Sequence, residues 1–250
     1  MSKTETELAD FIESVCTCKV LRSDRSAIAP YELDIYIPEK KLAIELDGLY
    51  WHSENLGTSK SYHLNKTKMC ESNGIHLVHV FENEWKCKQD IVKSRLKDLL
   101  GAYDSTVFAR KCNVARVCSR DAAEFLQHNH LQGSAPAKEN YGLMFNNELV
   151  ALMTFSKKRY KSRHDKSNAW EMVRFCCKLG CHIPGAAGKL LKEFERNHSN
   201  AMLTSYADRR WSQGKLYEAL GFKLDHASAP NYWYWEYGAG SMALKSRIEC

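Results

Sequence analysis

Tyr31–His52 is the stretch that most constrains what this chain can fold into. Leu33, Ile35 and Ile37 alternate with Asp34 and Tyr36, and Ile44 and Leu46 alternate with Glu45 and Asp47. That is the period of a half-buried strand, written twice around the turn Pro38–Lys41. If Ile37 pairs with Leu42, Asp34 lies opposite Glu45 with Cβ atoms about 5 Å apart, a spacing at which like charges destabilise a sheet. The pattern therefore predicts a cation between them, with His52 within reach. Asp34, Glu45 and Asp47 are the candidate metal ligands, since hard oxygen donors on adjacent strands suit Mg²⁺ (or Mn²⁺). A metal so held can activate a water and neutralise charge developing on a phosphodiester. His52 would then act as general base or orient the water, and Lys66 and Lys68 would contact the phosphate.

The chain of 250 residues has room for one large domain or two modest ones, and its 44% apolar and 26% charged residues are globular in character. No apolar run approaches the roughly 20 residues of a membrane span, and the polar N-terminus does not read as a secretory signal. A cytoplasmic protein is expected, with no membrane partner. The ten cysteines are scattered, which reads as reduced thiols rather than a disulfide framework. Cys177-x₃-Cys181-His182 comes nearest to a zinc spacing but lacks a second pair. Net charge is +6, and it is clustered at Lys157–Lys166 and Arg209–Arg210, as phosphate contacts require.

Helical spacing of Leu8, Phe11, Ile12 and Val15 predicts a helix over 2–15, capped by Ser2 or Thr4. A second helix is expected over 61–73, ended by Gly74, then a strand over 75–81 and a helix over 90–100. Periodicity lapses at 101–111. Beyond it, strands flank the turn Asn146-Asn147, another strand covers 170–177, and a helix covers 184–197. A strand at 202–206, a helix at 214–220 closed by Gly221, and a last strand at 232–237 complete the pattern. The fold class is α/β, with a mixed-sheet domain at 1–104, a second α/β domain with a mostly antiparallel sheet at 112–238, and a tail at 239–250.

Asp34, then Glu45-Leu-Asp47-Gly, then Trp51-His52, resembles the very-short-patch-repair-like branch of the PD-(D/E)xK nuclease superfamily, which includes phage homing endonucleases of the EDxHD type. Residues 62–85 resemble the helix and strand that follow in that branch. The resemblance implies a metal-dependent DNA endonuclease of phage homing type, found in the host cytoplasm and acting on double-stranded DNA. Its active site would be Glu5 (or Glu7), Asp34, Glu45, Asp47, His52 and Lys66. Asp47 stands where the superfamily has lysine.

His182-Ile-Pro-Gly185-Ala-Ala187-Gly-Lys189 lies between a strand and a helix and resembles the Q/R-x-x-G-x-G/A pyrophosphate loop of GNAT acyltransferases. Ser205–Phe222, with Tyr217…Gly-Phe222, resembles the later strand and helix of that fold. Gly185, Ala187 and Lys189 are thus a candidate phosphate loop. His182 replaces the usual Gln or Arg, so acetyl-CoA is not expected, and the second domain would instead hold DNA through Arg159, Arg163, Arg209, Arg210, Trp211 and Tyr232. The alternative is a GNAT-type acyltransferase or DNA-modifying enzyme targeted by the first domain.

Overall fold

The computed structural model describes residues 2–48, 62–157 and 168–229. These divide into two compact units. The first takes in the described residues up to Gln89 together with 208–213 and 223–229, and the second takes in the rest.

The first unit opens with α1 (Lys3–Val15), whose Ser2 hydroxyl accepts from the Glu5 N–H while the Glu5 carboxylate accepts from the Ser2 N–H. Such a capping box is worth about 1 kcal/mol. Leu8, Ala9 and Ile12 form the buried stripe of this helix. A four-stranded sheet follows in the order β1 (Leu21–Asp24), β2 (Leu33–Ile37), β3 (Leu42–Asp47), β4 (His76–Phe81). The hairpin register is as expected, with Ile37 opposite Leu42. Its turn is one 3₁₀ turn over Pro38–Lys40, closed by Lys41 at φ 48°. β4 is parallel to β3, with Glu45 opposite His79 and Asp47 opposite Phe81. The crossover between them includes α2 (Tyr62–Ser72), ended by Gly74 at φ 70°. α3 (Glu82–Cys87) leaves β4 directly and buries Trp85.

The second unit begins in α4 (Gln89–Leu100), earlier than the lapse of periodicity at 101–111 suggests. The Ser94 hydroxyl of α4 accepts from the Gly180 N–H, and Lys97 pairs with Asp104. β5 (Ser105–Thr106) pairs with β10 (Cys181–His182). The main sheet has the order β11 (Met202–Ser205), β9 (Ala169–Cys177), β8 (Glu148–Lys157), β7 (Glu139–Phe145), β6 (Asn113–Arg116). Its pairs are antiparallel except β9–β11, which are parallel and joined through α6 (Ala186–Asn197). The β7–β8 hairpin turns on Asn146 and Asn147, at φ 49° and 64°, the two left-handed residues that a tight hairpin needs. Alternation along β8 serves two layers. Ala151, Met153 and Phe155 pack in the cluster that includes Leu190, Leu191 and Phe194 of α6. Leu152 packs with Ala122 and Leu126 of α5 (Ser119–Asn129). α7 (Lys215–Ala219) follows β11 and stops at Leu220, before Gly221 at φ 86°. The strand expected at 232–237 lies outside the described residues. Among the described residues, no helix is long and apolar enough to cross a membrane.

Candidate functional site

Each unit carries one polar constellation. In the first unit it lies where α2 crosses the sheet. In-register neighbours share a face, so the Glu45–His79 pairing puts both on the side of Asp47. Lys66, Thr67 and Cys70 are the buried residues of α2. Glu45, Lys66, Asp47 and His79 are all buried, each less than a tenth exposed.

Two of the three expected metal ligands are already engaged. Glu45 forms an ion pair with the Lys66 ammonium and also accepts from the Asp34 N–H at 3.1 Å. Asp34 accepts from the Leu46 N–H at 2.9 Å. The charge set against charge in the sequence is thus compensated by Lys66, which enters from α2. Burial and the Asp34 charge raise the Glu45 carboxyl, while Lys66 pulls it back. Burial works to lower the Lys66 ammonium, but the Glu45 charge outweighs it and the net direction is up.

Burial also pushes Asp34 up to about 6, against the Leu46 N–H and Lys66 and with help from the Glu5 and Asp47 charges. The folded chain therefore binds the Asp34 proton more tightly than the unfolded chain, where the group titrates near 3.8. This contribution favours the fold fully below about pH 4 and is lost as pH rises through about 6, an effect of at most about 3 kcal/mol. Asp34→Asn, whose amide oxygen can still accept from Leu46, is expected to flatten the melting temperature between about pH 4 and 6. It should also raise the melting temperature at neutral pH. An unchanged slope in that window would refute the assignment.

The remaining residues singled out in the sequence fall as follows. Glu5 is held in its capping box. His52, Arg159, Arg163 and Tyr232 lie outside the described residues. Lys68 is exposed on α2. Arg209 pairs with Glu71, and Arg210 with Glu84 and Asp208 while lying 4.5 Å over the Phe81 ring. Trp211 is 3% exposed, so its ring serves the core rather than a stacking surface. His63 and His79, not singled out in the sequence, stand beside Asp47, with Nδ1 atoms 3.4 Å and 3.0 Å from its carboxylate. The available signal was register: a histidine in a buried strand, opposite an acidic residue.

In the second unit, the candidate site is where β9 runs on past the end of β11. Their pairing ends at Met172 opposite Ser205, while β9 continues to Cys177. α6 starts after Gly185, at φ 83°, and no side chain caps it. The Ala186 N–H is bonded to the Ile183 carbonyl at 3.1 Å, so the Ala187 and Gly188 N–H groups form the anion-receiving end. The Lys189 ammonium is bonded to the Ala109 and Cys112 carbonyls at 3.0 and 2.5 Å. His182 is stacked on Tyr103 at 4.0 Å with its Nδ1 3.7 Å from Asp98. Positive charge near the helix start comes from Arg110 and Lys192, which line a cleft of about 530 Å³ together with Gly185 and Gly188. The Tyr217 hydroxyl donates to the Tyr206 carbonyl at 3.1 Å, just past the end of β11.

No protein-family profile and no curated protein matches the chain. Three similar solved structures share the GNAT description or an acetyltransferase one. A GNAT-family acetyltransferase from Streptococcus pneumoniae TIGR4 is 13% identical over 45% of this chain and 88% of its own, with a TM-score of 0.36. An aminoglycoside acetyltransferase from an uncultured soil metagenomic sample, in complex with sisomicin, is 10% identical over 51% of this chain and 98% of its own, TM-score 0.38. A ribosomal-protein-alanine N-acetyltransferase from Brucella melitensis biovar Abortus 2308 is 20% identical over 47% of this chain and 96% of its own, TM-score 0.33. The chain has a mixed α/β fold with GNAT-like neighbours. The reading of the chain as a Mg²⁺- or Mn²⁺-dependent DNA endonuclease, with its hydrolase and homing roles, is corrected: the similar structures are described as acetyltransferases. The expectation that acetyl-CoA is not used is corrected with it. The local reason is that Asp34 and Glu45, read as metal ligands, are satisfied by the Leu46 N–H and by Lys66.

Proposed function

We propose that the second unit is an acyltransferase module that takes a coenzyme-A thioester and passes its acyl group to an amine. The observation that supports this most is that β9 runs on past the end of β11, with an uncapped helix start following it in the chain. Val173–Cys177 extends beyond the paired part of β11, so its edge can bond the amide-bearing arm of a ligand as a further strand would. The first-turn amides of α6 would receive the pyrophosphate, with Arg110 and Lys192 adding charge from the adjoining cleft. Gly185 leaves this approach open: a Cβ there would meet only the Ala109 Cβ, at 3.6 Å. Bound there, such a thioester would supply an activated acyl carbon. Tyr217 sits past the end of β11, and its hydroxyl is the candidate proton donor to the departing sulfur as the acyl carbon–sulfur bond breaks.

Calorimetric titration of the whole chain with acetyl-CoA and with free coenzyme A tests the reading. Saturable binding is expected for both. Gly185→Val should weaken it more than about tenfold, a loss of about 1.4 kcal/mol, because a β-branched side chain is strained at positive φ and crowds the amides. Tyr217→Phe should leave binding unchanged and slow thiol release with an amine acceptor. Absence of saturable binding by the unaltered chain would overturn the reading.

A further inference from the structure

The polar layer of the first unit contains a group that the proposed acyl transfer does not use. Asp47 ends β3, His79 lies in β4, and His63 lies in the first turn of α2. Their ligand atoms all lie within 4.8 Å of one another. The Asp47 carboxylate reaches both imidazoles, one oxygen 3.0 Å from His79 Nδ1 and the other 3.4 Å from His63 Nδ1. Ligands about 2.0–2.2 Å from a tetrahedral zinc stand about 3.3–3.6 Å from each other, so the spacing is close to what a shared ion requires.

Thr67 holds the far side of the His79 ring. Its hydroxyl lies 2.8 Å from the His63 carbonyl and 2.9 Å from His79 Nε2. When its one hydrogen goes to the carbonyl, it accepts from Nε2–H, and His79 turns the lone pair of Nδ1 toward the Asp47 carboxylate, 3.0 Å away. The cation between them is then either a proton or a metal ion. Two further observations favour the metal: a second imidazole converges on the same carboxylate, with its ring plane 83° from that of His79, and Thr67 bonds the far nitrogen as outer-shell partners of zinc-bound histidines do.

We propose that Asp47, His63 and His79 bind one divalent transition metal of the zinc class, tying α2 to β3 and β4. Two imidazoles and one carboxylate are a borderline donor set suited to Zn²⁺ or Co²⁺. The site shares only Asp47 with the carboxylate set read from the sequence. The His63 side chain is 33% exposed, so an ion reaches this ligand from solvent.

The test uses the full chain, stripped with chelator and titrated with Zn²⁺ and with Co²⁺. One equivalent of Zn²⁺ is expected to bind and to raise the melting temperature, because a ligand held only by the folded state stabilises it. Bound Co²⁺ should show visible bands of a nitrogen–oxygen site with no thiolate charge transfer. His79→Gln and His63→Gln should each weaken binding at least about tenfold, or about 1.4 kcal/mol. His63→Gln is read where His79→Gln fails to fold, since His63 is the more exposed. No stoichiometric binding would leave a shared proton as the occupant and overturn the proposal. Thiolate bands, or affinity unchanged in His63→Gln, would place the metal elsewhere and overturn it equally.

Discussion

Lys66→Met is expected to destabilise the first unit by about 3–5 kcal/mol above about pH 9, because it leaves Glu45 buried without its counter-charge. Methionine keeps most of the lysine stem, so packing changes little and the loss is electrostatic. Protonation of Glu45 can relieve that loss, which gives it a pH signature. Removing Lys66 takes away the group that pulls the Glu45 carboxyl down. The folded-state value then rises further above the unfolded one, and stability falls as pH increases above about 4.5. Glu45 already stands at about 8 in the unaltered fold, so the penalty should be small near pH 5 and open as pH rises past about 8. Adding Glu45→Gln should recover most of it, since the glutamine oxygen can still accept from the Asp34 N–H and no charge remains. Thermal melts of the two variants across that range decide the matter. A pH-independent loss would mean that the lysine stem, not its charge, is what the fold needs.

The same ion pair marks how far the sequence could be read. Alternation gave the hairpin its register, and Ile37 does pair with Leu42, so Asp34 and Glu45 do come together. What alternation cannot supply is the third dimension. Lys66 has no local reason to be buried, and only the placement of α2 across β3 and β4 brings its ammonium to Glu45. Turn chemistry was legible for a related reason: Asn146-Asn147, Gly74 and Gly221 all occupy left-handed positions that few residues tolerate. The missed elements are those with weak periodicity. β1 is four residues with Arg22 and Asp24 in it, and β6 is an edge strand of four. α5 has Ala122, Phe125 and Leu126 at helical spacing, but polar residues surround them. What clustering does not show is each residue's own partner: Arg209, exposed, pairs with Glu71, Arg210 with Glu84 and Asp208, and Lys189 with carbonyls of the chain itself.

Phe194→Ala should cost the second unit about 3–5 kcal/mol, the larger end of what a core truncation removes. The ring of Phe194 is 1% exposed and lies stacked on Phe155, with centroids 3.9 Å apart and planes 10° apart. Tyr141 and Trp170 meet it nearly at right angles, at 6.2 and 5.3 Å. Each aromatic pair adds about 0.5–1.5 kcal/mol beyond area burial, so alanine forfeits three such contacts and leaves a void among rigid rings. The consequence reaches the proposed ligand site. Phe194 anchors α6 to β7, β8 and β9, and the start of that helix is where the coenzyme-A pyrophosphate would sit. Phe194→Ala should therefore lower both the unfolding midpoint in urea and the affinity for coenzyme A. Phe108→Ala is the contrasting variant, because Phe108 is 43% exposed and borders the same cleft. It should shift stability by no more than about 0.5 kcal/mol. Equal losses from the two variants would show that the packing of α6 on the sheet does not hold this unit together.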